Sequence, residues 1–131
     1  MTQEEILQYN KLCAEFLDAI YSEDAEAWGF GNAKNIGSKM FHGVMYHNVI
    51  EAQRFEKELK FHSDWNWIME VVEAIEKLGY EIDIFSNCVE ICDTPDENYI
   101  TEAVGKTKKE AVVQAIDSFL KFYNKNLEMS K

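Results

Sequence analysis

The chain has 131 residues with 24 carboxylates against 13 lysines and arginines, a net charge of −11. Its length suits one domain with its own core, and its hydrophobic fraction of 47% is that of a globular protein. Such acidity opposes nucleic acid and anionic membranes, and no run approaches the roughly 18 apolar residues of a membrane span.

The N-terminal stretch MTQEEILQYN has no basic region and no small-residue cleavage site, so it does not read as a signal peptide. It reads as a helix start. Thr2-Gln3-Glu4-Glu5 forms a capping-box pattern, and Ile6, Tyr9, Cys13, Phe16, Leu17 and Ile20 fall on one helical face. A helix is expected over about 3–20.

Residues 27–50, AWGFGNAKNIGSKMFHGVMYHNVI, differ from the rest. They hold four of the six glycines, two lysines and no carboxylate. The segment is formally +2, which leaves −13 on the remainder. Residues 27–47 read as irregular. Residues 48–60 fit a short helix capped by Asn48, and Val44–Ile50 fits a strand equally.

The next helix is expected over 64–78, capped by Ser63 or Asp64 and ended by Gly79. Trp65, Ile68, Met69, Val72 and Ile75 make one apolar stripe, and Trp67, Val71, Ala74 and Leu78 make another. A helix so broadly apolar is central or shared with another subunit, which predicts a homo-oligomer.

Tyr80–Phe85 alternates as a strand. Ser86-Asn87 supplies a two-residue turn, with Asn tolerating a positive φ, and Cys88–Cys92 returns. That register sets Ile84 against Val89 and Ile82 against Ile91 on the core side. It also sets Asp83 against Glu90 on the outer side. Pro95 starts an acidic turn over 93–97, and Asn98–Val104 is a third strand. After Gly105, the capping box Thr107-Lys-Lys-Glu110 opens a last helix over about 108–124, followed by a frayed tail. The fold class is α+β: one domain over 1–131, with an antiparallel three-stranded meander over about 80–104 packed with helices.

The run Phe61-His-Ser-Asp-Trp-Asn-Trp-Ile-Met69 is followed by Val71-Val72 and Ala74-Ile75-Glu76. The chain closes with Lys109-Glu-Ala-Val-Val-Gln-Ala-Ile116 and Phe119-Leu-Lys-Phe-Tyr-Asn124. Together these resemble small, largely uncharacterised phage and mobile-element proteins of Bacteroidota-type bacteria. In those a His-Ser-x-Trp-x-Trp helix start precedes a hairpin and a final helix, a layout like a phage α/β sandwich domain. The resemblance covers residues 61–124 and implies a phage origin and a place in the cytoplasm of a host cell. An odd number of cysteines (Cys13, Cys88 and Cys92) without a secretory signal also suits a reducing cytoplasm.

Two candidate surfaces follow. Trp28, Phe30 and Phe41 could stack on a base, Lys34, Lys39 and His42 could hold an anion, and Asn32 adds a donor. With His62 they form a candidate site for a nucleotide-like small molecule. Asp83, Glu90, Asp93, Asp96 and Glu97 form a candidate surface for a basic protein. No cofactor, metal ligand set or catalytic group is expected, because no Cys-x-x-Cys, His pair or nucleophile–base spacing occurs. Gly105-Lys106-Thr107 lacks the earlier glycine of a phosphate-binding loop, since residue 100 is Ile.

The expectation is a non-enzymatic phage-type binding protein that counters a host defence by binding a nucleotide signal or a defence protein. One alternative is a nucleotide-directed hydrolase using His42, His47 or His62 as base. Another is a virion-associated structural protein that oligomerises through the 64–78 helix.

Overall fold

A computed structural model describes residues 1–23, 27–29, 39–41, 44–46, 53–55, 59–93 and 98–129. The described residues form three helices and a three-stranded antiparallel meander, an α+β arrangement with further short strands. None of these helices is long and apolar enough to cross a membrane. The chain divides into two compact units, Met1–Glu70 and Val71–Lys131.

In the first unit, α1 (Gln3–Phe16) starts with the full capping box. Thr2 Oγ1 accepts from the Glu5 N–H at 3.1 Å and Glu5 Oε1 accepts from the Thr2 N–H at 2.9 Å. Tyr9, Cys13 and Ala14 are buried, and so is Asn10. The helix stops at Phe16, short of 20. Asp18 takes a left-handed φ of 62°; its N–H donates to Glu15 O, and the Ala19 N–H donates to Ala14 O. This is the paired 5→2 and 6→1 closure that glycine ordinarily provides. Ile20 therefore lies in strand β1 (Ile20–Ser22), not on the helix.

Strand β1 pairs antiparallel with β2 (Ala27–Gly29), which pairs with β5 (Gln53–Phe55). Strands β3 (Lys39–Phe41) and β4 (Val44–Tyr46) form a separate antiparallel pair. The segment expected to be irregular thus contains strands. Each is three residues long, too short to show a period of two. The helix read over 48–60 does not form at 53–55, where β5 lies; β4 agrees with the competing strand reading. Residues 47–52 and 56–58 lie outside the described residues.

Helix α2 (Trp65–Lys77) begins at Asp64, whose Oδ1 accepts from the Asn66 N–H at 2.9 Å. The border between the units falls within α2. Ahead of it, Phe61 is buried and meets the Trp67 ring edge-on at 4.9 Å. Gly79, at φ 100°, ends the helix as expected, and its N–H donates to Glu76 O.

In the second unit, β6 (Tyr80–Phe85), β7 (Cys88–Asp93) and β8 (Asn98–Val104) make the meander. Ile84 lies opposite Val89 and Ile82 opposite Ile91, the register expected from the sequence. The turn residue with positive φ is Ser86 (53°), not Asn87. Asn87 serves otherwise: its Nδ2 donates to Gly105 O at 2.8 Å and its carbonyl accepts the Gly105 N–H at 3.0 Å.

Helix α3 (Lys108–Met129) packs on all three strands. It runs past 124, because Lys125 to Met129 contain no glycine or proline to stop it. Thr107 Oγ1 accepts from the Glu110 N–H at 3.1 Å, while the Glu110 carboxylate accepts from Gln114 Nε2. Val112, Ile116, Phe119 and Leu120 are buried, as are Val89 and Ile91 on the sheet. Tyr80 meets Phe119 edge-on at 4.9 Å. These contacts identify the sheet face that α3 covers.

Candidate functional site

Strand alternation sends every second side chain to the face away from α3. On β6 this includes Asp83 and Phe85, on β7 Cys88 and Glu90, and on β8 Glu102 and Val104. Pairing aligns them in two rows. Asp83 lies opposite Glu90, and Glu90 opposite Glu102. Phe85 lies opposite Cys88, and Cys88 opposite Val104. One row is three carboxylates; the other is a thiol between two apolar side chains. Phe85 is 56% exposed and Val104 63%, so the hairpin end of this face is open.

Carboxylates directly opposite one another repel. The carboxylates also act on Cys88. Its thiol pKa is pushed up, first by desolvation and then by Glu102 and Glu90. The thiol stays protonated and reaches Glu102 Oε1 at 4.0 Å. One ligand atom each from Cys88, Glu90 and Glu102 lies within 4.8 Å of the others. Among the described residues, this is the group whose ligand atoms lie close enough together to hold a metal ion. Exposed carboxylates also crowd in this way without one.

The acidic surface expected from the sequence divides here. Asp83 and Glu90 lie in the outer row. Asp93 lies opposite Tyr80, on the α3 side, where its charge helps raise the tyrosine pKa after desolvation. Asp96 and Glu97 are outside the described residues. Glu102 joins the row although its register was not readable, since β7 and β8 slip between Ile91 and Cys92.

The expected small-molecule site is distributed over different elements. Trp28 sits in β2, opposite Tyr21 of β1 with ring centroids 5.1 Å apart. The indole is only 5% exposed, so Tyr21 carries the accessible aromatic surface of the pair. Trp28 Nε1 is buried with no hydrogen-bond partner among the described residues. A cavity of about 280 Å³ is lined by Lys11, Glu15, Tyr21 and Trp28; Lys11 and Glu15 lie one turn apart on α1. Lys39 and Phe41 belong to β3, opposite Tyr46 and Val44. Phe30, Asn32, Lys34 and His42 lie outside the described residues.

His62 is engaged elsewhere. Its Nδ1 lies 3.2 Å from Asn10 Nδ2, which also donates to Leu59 O at 3.1 Å. Burial pushes the His62 pKa down. The signal for this pairing was in the sequence: Asn10 is a polar residue between Tyr9 and Cys13 on a helix, and buried polar groups need partners.

No protein-family model, curated protein or solved structure matches the chain.

Proposed function

We propose that this chain is a non-enzymatic binding protein that engages a basic protein through the outer face of the β6–β7–β8 sheet. The observation that carries this reading is the Asp83–Glu90–Glu102 row beside the exposed Phe85 and Val104. Carboxylates aligned at a cost to the sheet, next to apolar anchors, suit a partner that brings lysine or arginine to the row. The net charge of −11 adds long-range attraction for such a partner. Two side chains with base or nucleophile chemistry are held in quiet forms, His62 by Asn10 and Cys88 by desolvation and then by its carboxylate neighbours. On the resemblance drawn from residues 61–124 to phage and mobile-element proteins, the partner proposed is a host protein that serves a defence system.

The test is capture from host lysate with the wild type and with Asp83→Lys/Glu90→Lys/Glu102→Lys. Circular dichroism should first show that the variant is folded. The reading expects a basic protein retained by the wild type and lost by the variant, with an association rate that falls as salt rises. Equal capture by both rejects it.

A second reading rests on the cavity lined by Lys11, Glu15, Tyr21 and Trp28. A cation, a carboxylate and an aromatic wall suit a small planar ligand of the nucleotide class. Calorimetry against a panel of nucleotides decides it, and no heat for any of them sets it aside.

A further inference from the structure

Asn10 is 2% exposed, in the middle of α1, and its side chain reaches two groups of the segment before α2. Leu59 O can only accept, so it fixes the amide: Nδ2 must face it, and Oδ1 cannot take its place. With one Nδ2 hydrogen on Leu59 O, the other points at His62 Nδ1. That ring nitrogen must then be an acceptor, so His62 is neutral and carries its proton on Nε2.

Protonation of His62 puts a second donor against Nδ2. Turning the amide over to meet it would set Oδ1 against Leu59 O, two acceptors in a buried place. Either response loses a hydrogen bond, and Asn10 Oδ1 already lacks one among the described residues. We infer that the Asn10–His62 contact is a pH-sensitive latch, which holds the 59–62 segment to α1 when His62 is neutral and releases it when the ring is protonated.

Burial alone lowers the His62 pKa, with no contribution from a charged side chain among the described residues. Lys60 and Asp64 are the ionisable neighbours along the chain, and Asp64 is engaged at the start of α2. Tyr9 and Cys13 flank Asn10 on α1 and are neutral below about pH 7. His62 is thus the titrating member. Its folded pKa is depressed, so its contribution is present above about pH 6.5 and is lost as the pH falls toward the lowered value.

The Ser63 and Asp64 N–H groups both donate to Lys60 O, at 3.1 and 3.0 Å, and report on the segment through hydrogen exchange. Between about pH 7.5 and pH 5, their protection, corrected for intrinsic rate, should fall on the order of tenfold in the wild type. It should hold in His62→Asn, whose Oδ1 stands near the place of Nδ1 and does not titrate. An equal fall in both proteins, or none in the wild type, overturns the latch. The ring nitrogen shifts of the wild type near pH 7.5 give a check that needs no variant. An unprotonated Nδ1 with a protonated Nε2 is expected, and the opposite tautomer also overturns it.

Discussion

Glu90 stands directly opposite Glu102 in the β7–β8 pairing and directly opposite Asp83 in the β6–β7 pairing, so one central carboxylate is flanked by two others. Removing its charge relieves both repulsions. Glu90→Gln should raise stability by about 0.5 kcal/mol in urea denaturation, within the usual range for cross-strand pairs. The gain should shrink in high salt, because the repulsion it relieves is screened. The same substitution should weaken capture of the basic partner. A residue whose loss stabilises the fold and costs binding is there for binding; a loss of stability would instead show that Glu90 has a favourable partner.

Cys88 offers a chemical readout of the same row. Desolvation and then the Glu102 and Glu90 charges keep its thiol protonated, and the thiolate is the reactive form. Cys13 and Cys92 are buried, so mild alkylation at about pH 8 reports on Cys88. Glu102→Gln should speed that alkylation severalfold by lowering the thiol pKa. An unchanged rate would mean that the Glu102 charge does not control the thiol, leaving desolvation and Glu90.

Two helix ends illustrate what the sequence discloses. Gly79 at φ 100° and Asp18 at φ 62° occupy equivalent left-handed positions. The glycine announced its stop, whereas aspartate did not, since only its backbone bonds to Glu15 O and Ala14 O reveal the closure. The two should respond oppositely. Gly79→Ala should cost about 1–2 kcal/mol from backbone strain alone, because a Cβ there meets nothing within 4 Å. Asp18→Gly should be neutral or gain up to about 1 kcal/mol. Thermal unfolding of both variants measures the pair; a cost at Asp18 would assign its carboxylate a role of its own.

The rest of the fold divides along the same line. Strands β6 and β7 were legible because six-residue alternation and a two-residue turn fix both faces and register. The short strands β1 to β5 carry too few residues to show a period. Glu102 was legible as a strand residue but not as a member of the acidic row. The slip at Ile91/Cys92 shifts the register of β8 against β7, which no count from the expected 93–97 turn foresees. Likewise Asp93 follows from composition as part of an acidic turn, yet alternation carries it to the covered face beside Tyr80. Charge alone finds an acidic region; only the pleat decides which charges share a surface.

Gly105 joins the parts that hold the exposed rows in place. Its N–H and carbonyl are both bound by Asn87 at the hairpin turn. On its other side, a Cβ would come within 2.6 Å of the Ala111 nitrogen and 3.0 Å of Glu110 Cβ. The start of α3 is rigid backbone there, so the neighbour cannot step aside as a side-chain tip would. Gly105→Ala should cost about 1–3 kcal/mol, as overpacking does. Val104→Ala next to it, largely exposed, should stay within about 0.5 kcal/mol. Denaturant midpoints of the two variants separate the effects. If Gly105→Ala is as mild as Val104→Ala, the close approach of turn, strand and helix is not what fixes the hairpin end, and Phe85 and Val104 are not held as rigid anchors beside the carboxylate row.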